Sequence, residues 1–355
     1  MNLLDLPQYG LPQAEKELLL RAELDRLTEH HRAHCPEYRR LLTIFGSARG
    51  TGIAGVPWLP VSVFKTHRLL SVPESEVFKT MTSSGTTGQR VSRIVLDRAT
   101  AQRQAQALVA IMATVLGPDR LPMLIVDSPA VVGDRRQMSA RGAGVLGMAA
   151  LGRHHTYALD TDMRVDVTAI RRFLERFGDR PFLMFGFTYM VWRHLVTELG
   201  AQADLSRGVL VHSGGWKALQ AQAVDNPTFK RVLRERFGLT RVHNFYGMVE
   251  QVGSVFLEGD DGYLHAPNFA DVLVRDPVTW EPAPNGTVGV LEVVSALPTS
   301  YPGHAILTED LGVVHDAGDP ATGWGGTRLS VVGRLPRVEL RGCGDTHAVN
   351  TGAAA

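Results

Sequence analysis

Four times between residues 98 and 246 a long segment of helical character is followed by a short apolar run, and this alternation restricts the chain to an α/β fold. Arg98 to Leu116, rich in Ala and Gln, precedes Leu121-Pro122-Met123-Leu124-Ile125-Val126-Asp127, an apolar run that ends in a carboxylate as a buried strand would. Val165 to Phe177 precedes Pro181 to Gly186, Thr188 to Leu199 precedes Gly208 to His212, and Pro227 to Phe237 precedes Arg241 to Tyr246. The expected core is therefore a largely parallel sheet flanked by helices. In such sheets ligands sit beyond the carboxyl ends of the strands. Three of the runs lead straight into Phe185-Gly186-Phe187-Thr188, His212-Ser213-Gly214-Gly215 and Tyr246-Gly247-Met248, so these three turns mark the expected site. His212 and His243, on the same strands, read as satisfied core histidines.

The texture changes on either side. After residue 260, the turn signals Asp260-Asp261-Gly262-Tyr263, Pro282-Ala283-Pro284-Asn285-Gly286 and Asp316-Ala317-Gly318-Asp319 separate short β-rich runs such as Val288 to Val294. This predicts a β-rich subdomain over 260–332, packed on an α/β core over 57–259. Residues 13 to 31 read as a helix whose apolar stripe is Leu18, Leu20, Leu24 and Leu27 and whose charges form a solvated face. Pro36 ends that helix, and residues 1–56 form an N-terminal helical segment.

A net charge of +1 gives no reason to expect nucleic acid or a membrane surface, and no apolar run approaches 18 residues. Met1-Asn2-Leu3-Leu4-Asp5 lacks the basic and apolar regions of a signal peptide, so cytoplasm is the expected compartment. Cys35 and Cys343 have no metal-ligand spacing.

Ahead of the first of these helices stands Thr82-Ser83-Ser84-Gly85-Thr86-Thr87-Gly88-Gln89, following the extended-looking run Val77 to Met81. Hydroxyls and unobstructed backbone N–H groups of this kind can surround a polyphosphate, because glycine permits close approach and positive φ. The Gly-Lys-Ser/Thr ending of a Walker A loop is missing. A Ser/Thr/Gly surface loop is the plainer alternative.

That loop resembles the phosphate loop of the adenylate-forming enzymes. Asn244-Phe245-Tyr246-Gly247-Met248-Val249-Glu250-Gln251, Leu307-Thr308-Glu309-Asp310-Leu311-Gly312 and Gly333-Arg334-Leu335-Pro336-Arg337 resemble three later elements of the same superfamily, in the same order. Trp58-Leu59-Pro60-Val61-Ser62-Val63-Phe64-Lys65, His212 to Lys217 and Leu340-Arg341-Gly342-Cys343 narrow the resemblance to the acyl-protein synthetases of the LuxE type.

The resemblance implies the fold of the N-terminal part of adenylate-forming enzymes. It also implies an ATP- and Mg²⁺-dependent ligase that turns a fatty or aryl acid into acyl-AMP. On that reading Thr82, Ser83, Ser84, Gly85, Thr86, Thr87 and Gly88 wrap the phosphates, and Arg90 or Arg93 supplies the charge of an absent loop lysine. Glu250 holds Mg²⁺. Tyr246 with Gly214, Gly215 and Gly247 receives the adenine, and Asp310 with Arg334 holds the ribose. Val249 replaces the family-wide Thr and removes one hydroxyl from the α-phosphate. Phe185, Phe187 and Trp216 would contact the acyl substrate, and Tyr189 and Trp192 are further aromatic candidates.

The C-terminal domain of such enzymes, about a hundred residues long, supplies a lysine, whereas 21 residues follow Arg334 here. Lys217, after the Gly214-Gly215 pair, is the expected substitute; a turn-capping lysine is the alternative. Cys343, between two glycines and near Arg337 and Arg341, is the expected acyl acceptor, from which the group passes to an acyl-accepting reductase or carrier protein. Residues 333–355 would then be a vestigial C-terminal segment. Two rivals remain: a ligase that delivers the same acyl-AMP to coenzyme A or an amine, and a nucleotide- or partner-binding subunit with a degraded site.

Overall fold

The computed structural model describes residues 2–45, 50–83, 91–132, 140–199 and 203–335, without the side chains of Ala140, Lys217, Ala218 and Gln220. Its strands in chain order are β1 (Leu59–Pro60), β2 (Lys79–Thr82), β3 (Arg93–Leu96), β4 (Leu121–Ile125), β5 (Gly152–Tyr157), β6 (Phe182–Phe187) and β7 (Gly208–Ser213). There follow β8 (Arg241–Tyr246), β9 (Phe256–Glu258), β10 (Leu264–His265), β11 (Ala270–Arg275), β12 (Val288–Ser295), β13 (Ala305–Val314) and β14 (Arg328–Arg334). Twelve of them form one sheet in the order β11-β12-β13-β14-β10-β9-β8-β7-β6-β4-β5, with β1 beside β13.

Strands β5, β4, β6, β7 and β8 are mutually parallel. They are the run of the sheet in which helices alternate with strands, as the sequence pattern requires. Their apolar side chains are covered on both faces, so β6 and β7 are buried almost throughout. The connecting helices are delimited by local chemistry. Asp97, Asp166 and Asp225 each accept a hydrogen bond from a backbone N–H three residues on, capping Arg98–Leu116, Val167–Phe177 and Asn226–Phe237. The last of these ends on Gly238 at φ 67°, a left-handed cap that glycine adopts without strain. From β8 onward the ladder is antiparallel through β9, β10, β14, β13, β12 and β11. The β-rich segment therefore extends the same sheet.

Two features add to the expected pattern and two correct it. The stretch Thr188 to Leu199 is helical, but it begins as one α-turn, Thr188–Met190, and continues as a π-helix over Val191–Leu199. In the helix Gln13–His34, Leu20, Leu24 and Leu27 are buried while Leu18 is 75% exposed. The charges of that helix are not all solvated either. Lys16 is fully buried, 3.3 Å from Asp271 and bonded to the Ala266 carbonyl at 3.1 Å, and His31 is buried against Ser71 and Pro298. The helix lies on the antiparallel part of the sheet, whose buried carboxylate draws the ammonium inward. Finally, the hydroxyl-rich loop is separated from the helix that comes soon after it by one further strand. It joins β2 to β3, an antiparallel hairpin, and the helix Arg98–Leu116 follows β3.

The β13–β14 hairpin contains a bulge. Val313 faces Ser330 and Gly312 faces Val331, but Leu311 faces Gly333 and Asp310 faces Arg334, leaving Val332 as the extra residue.

Candidate active site

The carboxyl ends of β6, β7 and β8 contribute Phe185, Phe187, Ser213 and Phe245 to a cavity of about 450 Å³. Further parts of its wall are Met81 to Ser83 at the end of β2, Gly247 to Val255 after β8, Glu309 and Asp310 on β13, and Arg334 on β14. Beyond the paired residues of β2 and β3, Ser83 and Ser92 are joined by two hydrogen bonds. The Ser83 amide donates to the Ser92 carbonyl at 3.2 Å, and the Ser92 amide donates to the Ser83 hydroxyl at 2.9 Å. Of the residues expected to wrap the phosphates, Thr82 and Ser83 stand on the cavity wall; Ser84, Gly85, Thr86, Thr87 and Gly88 lie outside the described residues, as does Arg90. Arg93, opposite Thr82 in the hairpin, is exposed.

Asp310 is held by two donors. The Tyr246 hydroxyl donates to one carboxylate oxygen at 2.7 Å and the Arg334 Nε to the other at 3.2 Å. Burial, helped by the neighbouring Asp310 charge, holds the Tyr246 hydroxyl well above its ordinary range, so it remains a donor. A carboxylate has about four acceptor positions, and two donors leave the others for a ligand hydroxyl.

Glu250 sits in the 3₁₀ turn Val249–Gln251, and its carbonyl accepts from the Tyr301 hydroxyl at 2.8 Å. The Gln251 amide donates to the carbonyls of Val293 and Gly303 at 3.1 and 2.8 Å, tying the turn to β12 and the residues before β13. Burial pushes the Glu250 carboxyl up; a hydrogen bond with Ser92 and the charge of Lys65 act in the other direction. Val249 lines the cavity with an apolar side chain.

Phe187 is accommodated by two glycines. A Cβ on Gly214, which has φ 86°, would lie 3.3 Å from its ring, and one on Gly144 would lie equally close. Gly215 faces open space. Phe185 and Phe187 meet edge to face at 5.8 Å on the cavity wall. The acyl-contact expectation for Trp216 is not met. Its indole packs against Trp192 at 5.3 Å and Phe229 at 6.3 Å in a second core cluster, which also removes Trp192 from the cavity. Lys217 opens the 3₁₀ turn Lys217–Gln222, and its side chain lies outside the described atoms. Cys343 also lies outside the described residues. Cys35 is buried, and burial pushes its thiol up.

His243 is buried, with its Nδ1 3.0 Å from the Glu258 carbonyl. His212 meets Thr188 Oγ1 at 3.0 Å through Nδ1, while its Nε2 has no hydrogen-bond partner among the described residues. Burial lowers its pKa to about 3, so the ring is neutral.

Two contributors escaped the sequence reading. The helix Ala140–Ala149 presents Ala143, Gly144, Gly147 and Met148 to the cavity, and the first three are small residues that let the helix approach closely. Lys65, the last residue of the Trp58 to Lys65 stretch, also lines it, with Nζ 3.1 Å from Glu309 Oε1. A second cavity of about 740 Å³ meets the first at Val61 and Glu309 and is walled by Ile44, Phe45, Trp58, Trp280 and Leu335.

The family model described as acyl-protein synthetase, LuxE, matches residues 3–350. A long-chain-fatty-acid–luciferin-component ligase of Aliivibrio fischeri is 25% identical over 307 residues, 81% of this chain and 76% of its own length. The ligase of the same name from Vibrio harveyi is 24% identical over 359 residues, 95% of this chain and 89% of its own. Among solved structures, an open conformation of 2-hydroxyisobutyryl-CoA ligase in complex with 2-HIB-AMP and CoA aligns with a TM-score of 0.67. It covers 92% of this chain and 76% of that one, and at 19% identity the likeness concerns the fold.

Proposed function

The chain belongs to the acyl-protein synthetase LuxE family, and from that membership we propose that it activates a long-chain fatty acid as acyl-AMP and passes the acyl group through Cys343 to a partner protein. It is an AMP-forming ligase. The observation that carries the finer reading is the cavity that gathers Thr82, Ser83, Gly247, Glu250, Asp310 and Arg334 around an apolar wall of Phe185, Phe187 and Met148. Polar groups for a nucleotide and an apolar wall for an aliphatic chain meet in one place. Asp310, with acceptor positions to spare, takes the ribose hydroxyls, and the backbone at Gly247 leaves room for the base.

The carboxylates also fit Mg²⁺. Burial, with a small addition from the Glu309 charge, disfavours the ionised form of Glu250, a situation that a hard cation relieves. Mg²⁺ is commonly held by one or two carboxylates together with water and substrate phosphates. Bound there, Mg²⁺ would neutralise phosphate charge; Glu250 would be its protein ligand.

In the first step a carboxylate oxygen of the acid bonds to the α-phosphorus while the bond to pyrophosphate breaks. In the second the Cys343 thiolate attacks the acyl carbon and AMP leaves, giving a thioester. The test is incubation with MgATP and a panel of fatty acids. The expected result is acid-dependent pyrophosphate exchange and one acyl group on Cys343, removed by neutral hydroxylamine. Cys343→Ser should keep the exchange and lose the adduct. Exchange without any protein adduct would redirect the acyl group to coenzyme A or an amine. No exchange with any acid would leave a nucleotide- or partner-binding subunit.

A further inference from the structure

We propose that Lys65 is the catalytic cation of the adenylation step, meeting the substrate carboxylate and the α-phosphate from the cavity wall. The inference rests on the ligase reading above and adds a residue to it.

Lys65 is positioned by the fold. It lies on the short helix Val63–Thr66, whose Val63 and Phe64 are buried. Strand β1, just ahead of this helix, pairs with β13 at Ile306 and Leu307, and the Val61 amide donates to the Leu307 carbonyl at 2.8 Å. The Phe64 ring stands edge-on to Tyr301 at 6.3 Å, and the Tyr301 hydroxyl donates to the Glu250 carbonyl at 2.8 Å. One ring contact and one hydrogen bond therefore join the backbone carrying Lys65 to the turn carrying Glu250.

Its charge is available. The ammonium lies 3.1 and 3.3 Å from the two carboxylate oxygens of Glu309. The two side chains are 31% and 42% exposed, and an ion pair so open to water is worth only about 0–1 kcal/mol. Exchanging Glu309 for a phosphate oxygen costs little, and the flexible lysine stem allows it.

The cavity needs that charge. Its described wall carries Glu250, Glu309 and Asp310 against Lys65 and Arg334, and Arg334 is engaged with Asp310. The reaction brings a carboxylate against a polyphosphate. As the carboxylate oxygen bonds to phosphorus, the electron pair of the breaking bond leaves with pyrophosphate. A cation fixed beside the reacting centre stabilises that arrangement more than it stabilises the separate substrates. Lys65 transfers no proton; it neutralises charge and returns to Glu309 after product release.

The experiment is acid-dependent ATP–pyrophosphate exchange by the full chain. Lys65→Ala should lower kcat at least about 100-fold while the KM for ATP moves less than about threefold. Lys65→Arg should retain about a tenth or more of the rate, and an added alkylamine should partly restore Lys65→Ala. Lys65→Met, which keeps the stem in place, carries the same prediction should Lys65→Ala fail to fold. Exchange within about threefold of wild type in these variants overturns the assignment. A defect confined to KM does so too, since it marks ground-state binding. Loss of exchange in Lys217→Ala with exchange kept in Lys65→Ala hands the role to Lys217. A wild-type chain inert with every acid overturns the ligase reading and this inference together, whereas an active wild type with an unaffected Lys65→Ala overturns this inference alone.

Discussion

Two sets of ion pairs in this molecule are alike in chemistry and opposite in setting. Lys16–Asp271 and Arg275–Glu292 bind the N-terminal helix and strands β11 and β12, and all four side chains are at most 2% exposed. Lys65–Glu309 and Arg334–Asp310 stand on the cavity wall with exposures of 31%, 42%, 76% and 16%. The buried charges are spent on protein groups. Lys16 also reaches the Ala266 carbonyl, and Arg275 also donates to the carbonyls of Trp280 and Ala54. The cavity pairs keep water at hand and can change partners. Burial, more than residue type, separates the charges that hold the fold from those free to meet a ligand.

The sharpest way to break that comparison is to remove one partner from each set. Arg275→Ala leaves Glu292 charged or protonated in an apolar interior and should destabilise the chain by about 3–5 kcal/mol, read as a lower urea midpoint with unchanged slope. Asp310→Asn should cost less than about 1 kcal/mol of stability, yet reduce pyrophosphate exchange about 100-fold through the lost charge at the proposed ribose contact. Equal losses of stability in the two variants would show that both sets serve the fold.

A pH-dependent effect lies in buried groups that carry no charge at all. His31 and His304 stack at 5.0 Å; His31 Nδ1 meets Ser71 Oγ at 2.7 Å and His304 Nε2 meets Thr28 Oγ1 at 3.0 Å. Burial lowers both, His304 to about 3, and nearby Arg32 and His30 add to its shift. The unfolded chain takes up these protons near pH 6.5 and the folded chain does not. Their contribution to stability is therefore complete above about pH 6.5 and falls with pH below it, for His304 down to about 3. Each such group removes about 1.4 kcal/mol per pH unit within that window. Urea melts from pH 7 to 4.5 should show this slope, and His304→Gln should flatten it; the same slope in both proteins would place the acid sensitivity elsewhere.

What the sequence displayed depended on the range of the forces involved. Arg98–Leu116 and Arg241–Tyr246 are read and observed with the same ends, because apolar period, caps and glycines act within a few residues. Lys16, His31 and Lys65 were passed over because their partners Asp271, Pro298 and Glu309 are more than 200 residues away, and a lone charge in a helix looks solvated until the sheet is folded. Leu18 shows the converse, an apolar residue counted into a stripe it does not join. Trp216 followed its glycine pair into the expected acyl contacts, whereas ring packing with Trp192 and Phe229 takes it to the other core cluster. The four-residue strand β3 carries too short a pattern to announce a hairpin, yet it follows directly on Ser92, which reaches Glu250 from the end of the hydroxyl-rich loop.

The bulge in β14 has a consequence for how this site can vary. An uninterrupted ladder continuing from Gly312–Val331 would set Gly333 opposite Asp310, with no side chain to answer the carboxylate. The surplus residue advances the strand by one count and brings Arg334 there instead. Gly312 permits the shift, since a Cβ would strike the Leu291 side chain and the Ser330 carbonyl, both at 2.7 Å. Leu329, opposite Val314, stays in the core phase below the bulge. The hairpin thus works as a vernier: its inner end is locked to the core, while gain or loss of one residue at 331–333 resets the outer end and selects which side chain Asp310 meets.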